Sequence, residues 1–588
     1  MEVTQANFKA VLPQIEQAIR DCLFISVDCE LTGLKTEENS VNTFDTPKQY
    51  YEKARKDCKE FLVVQYGITL FRLDETTDSI KHKSYNFYTF RRPINHFIQD
   101  KRFLSQTSCI DFLIQQSFDF NKLFREGISY LNNVEEDEWR NTIKEQQRLK
   151  TESYNSNYNR NHDIVLIPEA NQEFIDDVVK QLEAFLASNE SELQLPKCNS
   201  FLRRLLYQTN SEKFHDKIHL RAHSVNSERI LFATKLKCKE ESEEIDRIFF
   251  EKLKSELDDY IGFSQVIRMI VKSEKIIVGH NFLLDFLHTI DKFLTPLPHD
   301  YLDFKDVVKS LFPAVYDTKF IGSSQHFKSI IPSTVLGQLV HTVTTHPFNL
   351  PPCEIEQGGQ GYDINDSKEH EAGYDSFITG LSFLAMWKHL GDQHNLILSD
   401  LIGRRGEGLL KPYKNKIFLM ILADNQFLDL EAPDQIVSRD HVFYLTFPKE
   451  WTTNNIVQLF SPFGNVYVSW ISKTSAYVAL YKRDQAALAL KTLCQSDTYS
   501  IITFARRQRQ LAGADLSGTV QPSPIKRRII TNETTQSKRN KTGKFEGSSI
   551  RMSKRSIEPI EEEAQSDEDE DNFTASKPRT FAECKSWD

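Results

Sequence analysis

The segment FISVDCEL, residues 24–31, constrains this chain more than any other. It reads as a β-strand, because Phe24, Ile25, Val27 and Leu31 are apolar and a helical pattern over residues 7–22 precedes it. Asp28 and Glu30 interrupt that run at i and i+2. Side chains alternate across a strand, so both carboxylates share one face. Two acids beside an apolar core are costly unless a cation neutralises them. A divalent ion would do so, since hard cations take oxygen ligands. The alternative is a sheet-edge pair facing water.

Two distant segments bear on that choice. KIIVGHNFLLDFLHTIDKF (275–293) reads as strand, tight turn and helix. Asn281 is the expected N-cap, which places Asp285 one turn into the helix. In H-E-A-G-Y-D, His370 stands just upstream of an apolar helix (374–390) and Asp375 faces inward from its first turn. Each fragment alone has a plain structural alternative: a solvated helical Asp, or a His that packs or hydrogen-bonds.

The rest of the chain sets how many folding units surround these residues. At about 150 residues per domain, 588 residues suggest four units or fewer. Hydrophobic residues make up 39% and charged residues 27%, so most of the chain can build cores. The net charge of −10 excludes a wholly basic nucleic-acid coat, although local patches can still bind phosphate. Nine cysteines without a C-x-x-C fit reduced thiols rather than a zinc or redox motif. The N-terminal MEVTQANFKAVLPQIEQAIRD is amphipathic and unlike a secretory leader. No run of about 18 apolar residues exists, so no membrane span is expected.

Residues 60–72 and 86–90 continue a β pattern, and the polar, Asn-rich stretch 131–163 reads as a surface excursion between modules. Helical patterns cover 171–190 and 198–208, two short strands lie within 218–236, and 238–258 is a charge-dense helix. Residues 440–508 alternate in β-α-β style. Beyond about residue 510 the apolar pattern collapses. Ten Lys/Arg against two acids occupy 526–555, and nine acids without a base occupy 558–571. Such blocks are expected to be solvated and disordered.

The order D-x-E, then G-H-N-x-x-x-D, then H-x-A-G-x-D resembles the DEDD superfamily of 3′-exonucleases, in the subgroup with a catalytic histidine. The flanking VDCELTGL, VGHNFLLDFLHTIDKFLTPLP, FPAVYDTKF, HEAGYDSFITGLSF and DHVFYLTFPKEW look like the poly(A)-specific ribonuclease family, over about residues 1–510. The resemblance implies an α/β fold with a ribonuclease H-like mixed five-stranded sheet and flanking helices. It divides the nuclease domain into 1–165 and 239–430, around an inserted small α/β Arg-x-x-x-His-type single-strand-binding domain at 170–238. A C-terminal α+β RNA-recognition-motif domain at 440–508 and the tail 511–588 follow.

The same resemblance implies two Mg²⁺ ions held by Asp28, Glu30, Asp285 and Asp375, with His370 taking a proton from water. The implied activity is Mg-dependent 3′-to-5′ trimming of single-stranded poly(A) tails with release of 5′-AMP. Leu31, Leu34, Ile110, Asn281 and Lys319 match family positions near the 3′ nucleotides, and Leu31 replaces an aromatic residue. Lys319 could equally be an exposed lysine at a helix start. Arg203 matches the insert's named arginine, but Tyr207 stands where the histidine belongs, and a basic amphipathic helix packed on its own domain is the alternative. Ser475 takes a usual stacking position, which disfavours base readout on that sheet face. Trp470 matches the tryptophan that stacks the 7-methylguanosine cap, with a core or dimer-interface aromatic as the other reading. A homodimer, and residence in nucleus and cytoplasm given IKRR (525–528) and KRNK (538–541), complete the expectations. Three alternatives stay open: trimming of oligoadenylated non-coding RNAs, DNA proofreading, and a non-catalytic poly(A)- or cap-binding adaptor.

Overall fold

The Phe24–Leu31 strand lies inside a mixed sheet. Val63–Asp74 pairs with it antiparallel on one side, and Ser79–Tyr88 follows, also antiparallel. Ile276–Gly279 and then Val315–Asp317 add parallel on the other side. These five strands form the expected mixed sheet. Four short strands extend it to nine. Glu2–Val3 and Cys353–Ile355 share the outer edge of Ser79–Tyr88, while Lys416–Phe418 and Phe427–Asp429 extend the opposite edge. Added edge pairing hides backbone donors and acceptors that would otherwise template association. The computed structural model describes residues 1–92, 101–155, 165–214, 217–225, 228–237, 239–356 and 361–511. Both charged blocks of the tail, with 525–528 and 538–541, lie outside the described residues.

Strand alternation divides the core in two. Ile25, Val27, Cys29 and Leu31 face a cluster built with helices Phe8–Asp21, Pro47–Glu60, Ser264–Ser273 and Leu283–Phe293. Phe24 faces the other cluster, centred on the helix Ala372–Asp392, and stacks on Phe71 at 4.6 Å. Ser26 shares that face, since its hydroxyl donates to the Ser376 carbonyl at 2.6 Å. By alternation Asp28 and Glu30 point the same way, toward the start of the Ala372 helix. That helix is buried nearly all round, which explains its apolar sequence on every side. Gly380 lets it lie on the sheet, because a Cβ there would come 2.1 Å from the Phe71 ring.

The stretch 131–163 differs from the surface excursion expected of it. Asn133–Asn155 is a helix of 23 residues. Trp139 and Ile143 are buried against Phe250, Leu253 and Leu257 of the helix Lys239–Ile261. A few apolar residues in a charged run suffice when two helices shield one narrow seam. Residues 156–164 of that stretch lie outside the described residues.

The segment expected to be an insert forms a hydrophobic cluster of its own. Helices Glu169–Ala187 and Ser200–Lys213 pack on a three-stranded sheet of Glu192–Gln194, Glu228–Lys235 and Ile218–Val225. Its cluster includes Val178, Leu182, Leu205, Leu220, Leu231 and Ala233.

A second compact unit begins at Arg439. Its sheet runs Val466–Ser472, Ser475–Leu480, Val442–Thr446, Ser500–Thr503, with helices Thr453–Phe460 and Ala486–Leu493. This is the β-α-β-β-α-β order read from 440–508. A last helix, Phe504–Leu511, was not evident from the sequence.

Candidate active site

Three segments bring four acids to one end of the central strand. Ligand atoms of Glu30, His370 and Asp375 all lie within 4.8 Å of one another. Asp28 and Asp285 stand outside that grouping, but Asp285 acts on it electrically. Burial pushes the Glu30 carboxyl well above the usual range, and the charges of Asp375 and then Asp285 push it further. The Asp285 carboxyl is itself pushed up to about 7, chiefly by burial. Asp28 is half-buried, two residues from Glu30 on the same strand. It acts with Asp285 and Glu30 to raise the buried Cys29 thiol, after the effect of burial.

Glycine and two amides fix the start of the Ala372 helix. Gly67 lies opposite Asp28 in register. A Cβ on Gly67 would fall 1.8 Å from the Ala372 carbonyl oxygen, so only glycine permits this approach. The Gln65 side-chain oxygen accepts from the Ala372 N–H at 2.9 Å, and the Asn86 oxygen accepts from the Gly373 N–H at 3.1 Å. Two donors that a helix start leaves unpaired are thereby satisfied. Gln65 is the register partner of Glu30, so one pair of strands sets both the acid and the helix that faces it.

His370 adopts a left-handed backbone, φ 70°. Its N–H donates to Asp375 Oδ2 at 3.0 Å, and its ring meets the Phe112 ring edge-on at 4.8 Å. A non-glycine residue in that region costs energy and persists where the surroundings impose it. Just upstream of the helix, Glu371 accepts from the Tyr362 hydroxyl.

Asn281 is not the N-cap that the sequence suggested. Phe282 occupies that position, while Asn281 has φ 51° and donates its N–H to Asp317 Oδ1 at 3.0 Å. Asp285 nevertheless falls in the first turn. Asp317 is fully buried and gathers three further backbone donors: Lys319 at 2.9 Å, Phe320 at 3.3 Å and Phe418 at 3.0 Å. One carboxylate thus ties the turn before Asp285 to two other segments. Burial of Asp317 raises its pKa, opposed by these hydrogen bonds.

The expected RNA contacts sit differently from one another. Leu31 is only 2% exposed and belongs to the core on the same strand face as Ile25, Val27 and Cys29. Its side chain therefore faces protein rather than solvent. Leu34 and Ile110 are half-buried, and Leu34 donates its N–H to the Gln106 side chain at 3.0 Å. Lys319 is buried, not an exposed lysine, with its ammonium 5.9 Å from the Phe418 ring centroid. Arg203 donates to the Cys198 carbonyl at 3.2 Å, which favours the packed-helix reading for that side chain, while Tyr207 is exposed.

In the second unit, Trp470 is 41% exposed, and its indole N–H donates to the Thr453 hydroxyl at 3.2 Å. Its ring stands perpendicular to Phe447 at 5.3 Å. The sheet-face aromatics Tyr444 and Tyr477 are register partners. The last helix covers them: Phe504 lies 5.3 Å from Tyr477, and the Arg507 guanidinium lies 4.3 Å over Tyr444.

Four carboxyl groups and an imidazole match the donor chemistry a hard divalent cation requires. Burial first, and then the charges of Asp375 and Asp285, disfavour the ionised form of Glu30, and a cation at these groups would favour it.

Sequence reasoning missed Gln65, Gly67, Asn86, Phe112 and Asp317. Only Asp317 carried a signal, as an acid within the apolar strand-to-helix segment FPAVYDTKF.

The CAF1 family ribonuclease model matches residues 3–383, and an RNA binding domain model matches 432–510. The poly(A)-specific ribonuclease PARN of Xenopus laevis is 38% identical over 98% of this chain and 93% of its own length. Its Homo sapiens counterpart is 39% identical over 86% and 80%, respectively. The pre-piRNA 3′-exonuclease trimmer of Bombyx mori is 25% identical over 87% and 95%. Among solved structures, the Mg²⁺- and Mn²⁺-bound form of S. pombe Pop2p aligns over 65% of this chain and 90% of that one, at 12% identity and a TM-score of 0.31. With its ribonuclease H-like sheet and C-terminal RNA-binding domain, the chain belongs to the CAF1 ribonuclease family, in the branch of the poly(A)-specific ribonucleases.

Proposed function

We propose that this chain shortens single-stranded poly(A) from the 3′ end, releasing 5′-AMP, at the site formed by Asp28, Glu30, Asp285, His370 and Asp375. The observation that carries the reading is the meeting of Glu30, His370 and Asp375 within 4.8 Å, beside the charge of Asp285. The relatives named for poly(A) give the substrate class.

The four carboxylates would hold divalent cations, with two Mg²⁺ ions as the expected complement. Bound there, such ions supply Lewis-acid stabilisation of phosphoryl charge and a more acidic water. The chain's own residues do the rest. His370 accepts the proton of the attacking water on a ring nitrogen, held in place by its N–H bond to Asp375 and by Phe112. Gly67, Gln65 and Asn86 hold the helix that carries Asp375 against the strand that carries Glu30. Asp317 fixes the turn before Asp285 and the backbone of Lys319, the lysine proposed to neutralise a phosphate near the 3′ end. Asn281, Leu34 and Ile110 complete the wall around the terminal nucleotides.

Trp470 offers an exposed indole face to a methylated guanine cap, where a cationic purine gains about 0.5–2 kcal/mol of cation–π energy. The covered pair Tyr444 and Tyr477 favours that surface over base stacking on the sheet. The insert serves as a second single-strand contact, the active form is a homodimer, and the basic tail clusters support residence in nucleus and cytoplasm.

Digestion of 5′-labelled oligoadenylate and oligouridylate, with magnesium or with EDTA, tests the reading. Adenylate should shorten by single nucleotides faster than uridylate, and only with metal. Equal rates on both would favour 3′ trimming without adenine preference; the Bombyx relative is named as a pre-piRNA 3′-exonuclease trimmer. Retarded RNA without product would favour an adaptor.

A further inference from the structure

A cleft of about 480 Å³ in the nuclease unit carries six cationic side chains: Lys59, Arg91, Arg92, Lys101, Arg102 and Lys292. Two carboxylates offset part of this charge. Asp291 lines the cleft and lies 3.2 Å from Lys292, and Glu135 pairs with both Arg91, at 2.8 Å, and Lys101. Four positive charges remain, in a chain whose net charge is −10. Lys59 and Arg102 are exposed, and among the described residues no hydrogen bond or ion pair engages their side chains. Arg91 Nη2 and Arg92 Nε are buried donors without a partner among the described residues. Unanswered charged donors are more costly than neutral ones.

The chemistry that answers such a set is a row of phosphate oxygens, because guanidinium groups match them in charge and geometry. Phe90 and Phe103 add apolar rings at the cleft, edge to face at 6.2 Å, with Phe103 39% exposed. A cationic groove with an available aromatic is the usual platform for single-stranded nucleic acid.

The cleft is tied to the elements of the acid site. Its wall residue Leu62 exchanges two hydrogen bonds with Thr32, two residues after Glu30: Thr32 N–H to the Leu62 carbonyl and Leu62 N–H to Thr32 Oγ1, both 2.9 Å. Thr32 Oγ1 also donates to the Leu104 carbonyl at 2.9 Å, beside Phe103. Asp291 sits on the Asp285 helix, six residues on, about 9 Å along its axis.

We propose that this cleft binds the phosphodiester backbone of single-stranded RNA upstream of the 3′ nucleotide held at the carboxylates. The placement upstream rests on the nuclease reading above; the RNA affinity of the cleft does not. The cleft extends the hold on a tail beyond its terminal residues and favours long tails over short ones.

The test uses the full chain carrying Lys59→Gln and Arg102→Gln together, which break no ion pair among the described residues. Anisotropy in EDTA measures affinity for an oligoadenylate of roughly 20 nucleotides, longer than a site of about 4–16. Two lost single-strand phosphate contacts should lower the slope of log K against log salt by about 1.4. Binding should weaken about 25-fold at 0.1 M salt. Hydrolysis of an adenylate trinucleotide with magnesium should be unchanged. An unaltered salt slope, or equal loss on long and short substrates, overturns the proposal. So does sedimentation showing that the two changes split a dimer while the slope stays the same, since the cleft would then be an interface between copies. If the double variant loses slope in EDTA but the parent chain cleaves neither RNA, the cleft stands as an RNA site and the nuclease reading falls.

Discussion

Gly67 and Ala372 meet so closely that the Ala372 carbonyl oxygen lies 1.8 Å from where a Gly67 side chain would begin. That approach seats the helix carrying Asp375 against the strand neighbouring Glu30. Gly67→Ala should therefore push the helix start away, since a backbone oxygen cannot swing aside. A shift of about 1 Å at reacting groups can cost roughly 100-fold in rate. Overpacking should cost about 1–3 kcal/mol in stability. Steady-state kinetics beside a urea melt reads both, and a variant with the parent's rate would show that the helix start does not position Asp375.

Asp317→Asn keeps the shape but places an amide donor among four backbone N–H donors. At least one of those should be left unpaired, at about 1–3 kcal/mol. The released turn at Asn281 should raise KM for oligoadenylate and lower kcat. Denaturant titration and kinetics together check this, and loss of stability with intact kinetics would limit Asp317 to a folding role.

Metal-free protein should lose stability as pH rises toward neutrality. The Asp285 carboxyl has a folded pKa of about 7 against 3.8 for the free group, so the folded state binds its proton more tightly. Its contribution is fully present below 3.8 and is lost as pH climbs through about 7. Each unit corresponds to about 1.36 kcal/mol. In EDTA, Asp285→Asn should melt higher than the parent at pH 8 and approach it below pH 5, while having no measurable nuclease activity. Magnesium or manganese should raise the parent's Tm more at pH 8 than at pH 5. A metal effect independent of pH would contradict this.

Buried neutral histidines set the acid limb. Desolvation lowers His82 to about 4 and His280 to about 3. Below about 6.5 the unfolded chain gains protons that these two refuse when folded, so stability falls as pH drops through that window to about 4 and about 3. His82 stacks on Phe377 at 4.5 Å. His82→Phe should flatten the limb between pH 6 and 4 by up to one proton, read from Tm against pH. An unchanged slope would show that His82 does not titrate there.

The acids of the site were legible because their spacing is local. D-x-E on an apolar strand, an acid one turn into a helix after G-H-N, and H-x-x-x-x-D at a helix start each declare themselves within seven residues. What holds them was not, because it depends on register. Gly67 matters only because it stands opposite Asp28, and Gln65 because it stands opposite Glu30. Asp317 could be seen as an acid, but not as the acceptor for segments more than 30 and 100 residues away. The helix at 133–155 was misread because Trp139 and Ile143 need Phe250 and Leu257 to reveal a seam. Leu31 looked like a substrate contact by position, yet it lies in the core with Ile25, Val27 and Cys29, on the face opposite Glu30.

The most direct measurement is 5′-AMP release from oligoadenylate by the parent chain and by Asp375→Asn, each with magnesium and with EDTA. The account predicts stepwise 3′ shortening by the parent in magnesium and none in the other three conditions, with Asp375→Asn still folded by circular dichroism. Comparable AMP release by Asp375→Asn, or by the parent in EDTA, would contradict it.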